Sequence, residues 1–177
     1  MLIENIKNPD NNRIDYSKLE LKFENVLITG AGGSIGSELS RQISSKDCKN
    51  IFILDNSEFN LFKINEELKE SKSNIVPLLI DLTDLNALKS IFNNNSFDAV
   101  YHVAAYKHVN MLQINKYSAI INNVVGTKNL LESLTPSVKR FTQVSTDKAV
   151  RPINIRGITK RISELLTLDF NKNNPDV

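Results

Sequence analysis

A single cysteine, Cys48, leaves no intrachain disulfide to form and fits a reducing compartment. No apolar run approaches the roughly 18 residues that would span a bilayer. The opening stretch MLIENIKNPDNNR lacks the basic-then-apolar layout of a secretory leader. Neither sign of charge dominates: the formal net charge is +2, and no Lys/Arg cluster offers a nucleic-acid face. His102 and His108 have no cysteine or third histidine nearby, so no metal set is visible and His102 reads as a packed strand residue. There is no internal repeat. These absences point away from a disulfide scaffold, a membrane span and a polyanion binder, and leave a cytoplasmic globular domain. At 177 residues and 41% apolar content, the chain can bury a core of its own.

Residues 1–22 are polar and Asn-rich and read as a flexible lead-in, with one domain over 23–177. From Asn25 short apolar runs alternate with amphipathic stretches. The runs NVLIT (25–29), NIFIL (50–54), IVPLLI (75–80), DAVYHV (98–103) and RFTQVS (140–145) suit strands buried on both faces of a parallel sheet. Pro77 places the third at a sheet edge or weakens it. Helical spacing appears over 35–45, 58–70, 84–93, about 115–134 and 156–170. Thr83 or Asp84 can cap the third helix. The last helix carries Ile158, Ile162, Leu165, Leu166 and Phe170 on one broad face. Strict alternation predicts an α/β fold, a Rossmann-type doubly wound parallel sheet of about five strands, in an order resembling 3-2-1-4-5.

VLITGAGGSIGSELSRQI sets Gly30, Gly33 and Gly36 between the first strand and the first helix. Such glycines permit the tight turn, the approach of backbone to a pyrophosphate, and close helix–strand packing. The helix N-terminus at Ser34 and Ile35 then offers free N–H groups and a positive dipole end. Asp55, closing the second strand, stands where a carboxylate accepts hydrogen bonds from an adenosine ribose. It would repel a ribose 2′-phosphate, so NAD is favoured over NADP. Asp81 and Leu82, after the third strand, are placed beside the adenine, although a turn-making carboxylate explains Asp81 equally well. Gly30, Ala104 and Ser145 all follow strand ends and are expected to converge on one cleft.

YHVAAYKHV (101–109), NNVVGTKNLLES (122–133) and STDKAV…GITKR (145–161) complete the pattern. With the glycine turn, they resemble the nucleotide-sugar branch of the extended short-chain dehydrogenase/reductases, and within it the UDP-N-acetylglucosamine 4,6-dehydratases of polysaccharide biosynthesis. The resemblance covers about residues 24–170. It implies a cofactor-binding half, ending before the strands and smaller C-terminal lobe that grip the nucleotide-sugar. A homo-oligomer or a complementing C-terminal chain would then complete the cleft.

The resemblance also implies a redox-neutral cycle: hydride passes from sugar C4 to NAD, water leaves across C5–C6, and hydride returns at C6. In that pattern Thr146, Asp147 and Lys148 form the catalytic cluster. Asp147 protonates the leaving hydroxyl and Lys148 takes the C5 proton, so Asp147 must hold a proton and Lys148 must be partly neutral. Lys160 hydrogen-bonds the nicotinamide ribose. Ala104, Ala105, Lys107 and Ser145 line the cofactor side, while Asn122 and Asn123 either support the cleft or form a polar helix face. Four residues before Lys160, where the superfamily usually has Tyr, stands Arg156. A guanidinium has no acceptor and does not deprotonate, so Arg156 is not the base. Two alternatives stay open: an epimerase using the hydride shuttle without elimination, and a non-catalytic dinucleotide-binding module.

Overall fold

The computed structural model describes residues 23–177, and the expected lead-in lies outside the described residues. Five parallel strands form one sheet in the order β3-β2-β1-β4-β5. They are β1 (Asn25–Thr29), β2 (Asn50–Asp55), β3 (Asn74–Leu79), β4 (Ala99–His102) and β5 (Arg140–Gln143). The helices are α1 (Ser34–Ser44), α2 (Glu58–Glu67), α3 (Leu85–Asn94), α4 (Val109–Ile114), α5 (Lys116–Ile120), α6 (Gly126–Ser133) and α7 (Ile155–Asn173). This is the doubly wound order that alternation predicts, and the direction of winding reverses between β1 and β4.

Alternate residues of the central strands feed two cores. Val26, Ile28, Ile51 and Ile53 meet Ile43 of α1 and Leu61 and Ile64 of α2 on one face. Leu27, Phe52, Leu54 and Val100 meet Leu88 and Phe92 of α3, Phe97 and Leu130 of α6 on the other. Burial from both sides is why β1 and β2 read as unbroken apolar runs. β3 and β5 are the outer strands and keep exposed residues. Pro77 therefore sits on an edge strand, in register with Ile53, where one side of the backbone needs no ladder donor. Asp84 is the cap of α3, its Oδ1 accepting from the Ala87 N–H at 3.0 Å.

Three expectations need correction. The helix expected over 115–134 runs unbroken over 116–133, but it is not regular: a π-helical turn at Ile121–Val125 separates α5 from α6, and the short α4 precedes them. Within this turn the hydroxyls of Thr127 (2.6 Å) and Ser163 (2.7 Å) both donate to the Asn123 carbonyl. The fifth strand ends at Gln143, because residues 147–149 form a 3₁₀ turn. Most unexpectedly, α7 buries Thr159, Lys160 and Ser163. Its apolar residues Ile158, Ile162, Leu165 and Leu168 are 38–55% exposed. Helical periodicity identified the stripe but not its direction. The inward-facing hydroxyls are satisfied, Ser163 by the Asn123 carbonyl and Thr159 by the Arg156 carbonyl and the Asn123 amide, so burying them incurs little desolvation penalty.

Candidate functional site

Gly30 turns the chain at the end of β1 with φ +67°. A Cβ there would come within 2.6 Å of the Ala104 Cα, so only glycine fits both the conformation and the approach of β4's end. Gly33 is the N-cap of α1, which has no side-chain cap and no acidic residue in its first turn. The first N–H groups of that helix are therefore available to an anion. An open cleft of about 180 Å³ lies in front of them. Gly30, Gly33, Ser34, Ile35, Gly36, Asp55, Leu82, Ala104, Ala105 and Lys107 line it, as do Asn56, Asn60 and Asn122.

Asp55 closes one wall. One carboxylate oxygen accepts from the Gly32 N–H and the other from the Ser57 N–H, each at 2.9 Å. The residue thus ties the glycine turn to the start of α2 while retaining lone pairs for a ligand. Asp81 does not line the cleft. Its Oδ1 accepts from the Thr83 N–H at 2.8 Å and hydroxyl at 2.7 Å, and its Oδ2 from Asn56 at 3.1 Å. Burial pushes its carboxyl up, but these hydrogen bonds hold it below the usual carboxylate range. The turn-making reading of Asp81 is the one that the geometry displays.

Beyond Ala104, the loop after β4 is clamped by Asn123. Its Oδ1 accepts from the Tyr106 N–H at 2.8 Å, and its Nδ2 donates to the Tyr106 carbonyl at 3.1 Å. Nδ2 also lies 3.1 Å from the Thr159 hydroxyl on α7. Only 2% exposed, Asn123 is a cleft support rather than part of a polar helix face.

The second cluster lies beyond β4, outside the lining of this cleft. Thr146 caps the 3₁₀ turn, and its hydroxyl donates to Asp147 at 3.0 Å. Lys148 Nζ pairs with Asp147 at 3.2 Å. The expected protonated Asp147 is corrected here. Its side chain is 83% exposed, and hydrogen bonds from Thr146 and then Lys148 hold its carboxyl below the usual range. The Lys148 side chain is 44% exposed. Ser145 donates to Glu164 at 2.5 Å, and Arg161 pairs with the same carboxylate at 2.9 Å. Glu164 was not singled out in the sequence, although its place one turn after Lys160 was the available signal.

Lys160 is 5% exposed, and burial, reinforced by the Arg156 charge and opposed by Glu164, pushes its ammonium down to about 8. Its helix meets the 147–149 turn at Gly157, where a Cβ would collide with the Lys148 carbonyl. Gly157 was also missed, since a helical glycine carries no sequence mark of what it touches. Arg156, in the first turn of α7, is partly exposed.

Comparison with known proteins follows this geometry. The family model described as "Polysaccharide biosynthesis protein" matches residues 26–177. The capsular polysaccharide biosynthesis protein CapD of Staphylococcus aureus is 42% identical over 159 residues, which is 88% of this chain and 26% of that protein. The solved UDP-Glc/GlcNAc 4-epimerase of Campylobacter jejuni superposes with a TM-score of 0.77 at 30% identity, covering 86% of this chain and 50% of its own. The X-ray structure of Pen from Bacillus thuringiensis gives 0.80 at 30% identity, covering 87% and 47%. The chain thus spans about a quarter of the first curated relative and about half of each solved one. With the glycine turn, strand order and motif blocks all inside the matched span, the chain belongs to the polysaccharide biosynthesis protein family.

Proposed function

We propose that this chain is the cofactor-binding portion of an NAD-dependent nucleotide-sugar 4,6-dehydratase, of the UDP-N-acetylglucosamine type. The observation that carries the reading is the cleft at the ends of β1 and β4, where an uncapped helix N-terminus faces the glycine turn and Asp55 forms the wall. That set fits a dinucleotide. The N–H groups at Ser34 and Ile35 would hold the pyrophosphate, and Asp55 the adenosine ribose. Its negative charge, with Lys107 the one cation among the described residues that line the cleft, favours NAD over NADP. When bound, the nicotinamide supplies the acceptor and donor for hydride.

The chain's own residues supply the rest. Lys160, buried with a depressed pKa, would orient the nicotinamide ribose and hold positive potential there. Thr146, Asp147 and Lys148 sit on the turn that α7 packs against, so acid and base are carried side by side. Asp147 works as an acid only once bound sugar and the rest of the enzyme bury it, because exposure leaves it ionised. Arg156 takes no proton.

The likeness to a UDP-sugar 4-epimerase favours a second reading, in which the same shuttle inverts C4 without elimination. Mass spectrometry separates them. UDP-N-acetylglucosamine incubated with the enzyme loses one water under the dehydratase reading and keeps its mass under the epimerase reading. For the cofactor, titration of this chain should give tighter binding of NAD than of NADP. Equal affinities would overturn the assignment of Asp55.

A further inference from the structure

His102 is 1% exposed at the end of β4, and both ring nitrogens are engaged. Nδ1 lies 2.8 Å from the Thr29 hydroxyl, on the residue before Gly30. Nε2 lies 2.9 Å from the Thr127 hydroxyl on α6. Proton bookkeeping fixes the direction of each bond. Thr127 has one hydroxyl proton, and its oxygen stands 2.6 Å from the Asn123 carbonyl, which can only accept. The proton goes there, since two bare acceptors at that distance repel. The Thr127 oxygen must then accept from an Nε2–H. Burial, with the Lys160 charge adding to it, pushes the imidazole down to about 3, so the ring is neutral and carries one N–H. Nδ1 is accordingly the acceptor and Thr29 donates to it, which leaves the Thr29 oxygen to accept from the Ala104 N–H at 3.3 Å.

We propose that His102, held as the Nε2–H tautomer, is a positioning residue that joins the cofactor turn to the helix of Lys160 through one unidirectional hydrogen-bond chain. The chain runs from the Ala104 N–H through Thr29, His102 and Thr127 to the Asn123 carbonyl. Ser163 of α7 donates to the same carbonyl at 2.7 Å. Ala104 touches Gly30, and Ser163 lies one turn beyond Lys160, so the two ends of the chain sit beside the two halves of the proposed cofactor site. A hydrophobic residue of similar size would fill the volume but leave Thr29 without its acceptor and Thr127 without its ring donor, and the glycine turn and α7 would each be free to settle separately.

The inference rests on the dinucleotide-binding reading, and its test separates the two. Nitrogen-15 NMR of the imidazole in the unmutated chain should show Nδ1 bare and Nε2 protonated, unchanged between pH 5 and 8. A protonated Nδ1, or a ring that titrates in that range, overturns the proposal whether or not any variant folds. His102→Asn keeps an acceptor near Thr29 and loses the donor to Thr127, whereas His102→Gln keeps the donor and loses the acceptor. Either variant cuts the chain at one link, so NAD affinity should fall about fivefold or more for each, one hydrogen bond's weight. An affinity within about twofold of the unmutated chain for both variants overturns the positioning role. Failure of the unmutated chain to bind NAD at all, with the tautomer as stated, sinks the cofactor reading instead.

Discussion

Between β1, β2 and the helices α1–α3, the interior is Val, Leu, Ile and Phe. Behind β4, the chain instead buries His102, Asn123, Thr127, Thr159, Lys160 and Ser163. The first region gains its stability from apolar area removed from water, about 25 cal/mol for each Å². The second gains little from area, since α7 leaves much of its apolar stripe exposed, and depends on every buried hydroxyl and amide finding a partner. The lesson is that a doubly wound fold can delegate rigidity to one half and geometry to the other. Dry packing fixes where β1 ends; directional hydrogen bonds fix where Lys160 stands relative to it.

The comparison breaks hardest at Phe97. It is fully buried and meets Phe52 and Phe92 edge-on, with ring centroids 4.8 and 5.0 Å apart. Phe97→Ala should destabilise the chain by about 3–5 kcal/mol in urea unfolding. A loss below about 1 kcal/mol would mean that the apolar half does not carry the stability.

Lys160 should behave in the opposite way. Its pKa near 8, below the ordinary 10.5, means that folding disfavours its charge. Below pH 8 both states are protonated and the whole penalty stands. Between pH 8 and 10.5 the folded state releases its proton first, so stability rises with pH. Lys160→Met should therefore stabilise the chain by on the order of 3 kcal/mol at pH 7 while weakening NAD. The stability difference between the two proteins should shrink across that pH window. Destabilisation at pH 7 would show that the ammonium is a net support of the polar half.

Chemistry comes next in size. In a chain extended by a substrate-binding lobe, Asp147→Asn and Lys148→Ala should each lower dehydration about 100-fold, near 2.7 kcal/mol in barrier. Arg156→Met should keep or raise the rate and move the Lys160 titration upward, since it removes a neighbouring cation. Rates that fall with Arg156→Met and survive Asp147→Asn would take the reaction away from the 146–148 turn. The smallest effect belongs to Asp55, where the two regions share the cofactor: Asp55→Ala should weaken NAD about tenfold, roughly 1.4 kcal/mol. Isothermal titration reads it directly, and an unchanged affinity would confine Asp55 to bracing Gly32 and Ser57.

The alternation of apolar runs with helical spacing was enough to determine five parallel strands in a doubly wound sheet, while the structure placed Pro77 at an edge rather than in a broken strand. Short-range chemistry was enough to place the glycine turn and Asp55 on the cleft wall and to narrow the α3 cap to Thr83 or Asp84, because each depends on neighbours a few residues away or on one strand end. Tertiary structure alone decided which face of α7 goes inward, because periodicity locates a stripe and cannot say what waits to satisfy the opposite one. It also decided that Asp81 serves a turn, that Asp147 is exposed, that Asn123 holds Tyr106 across a π turn, and that His102 bridges Thr29 and Thr127. Each of these is a matter of partners brought together from distant stretches of chain, and hydrogen-bond direction and desolvation exist only once those partners meet.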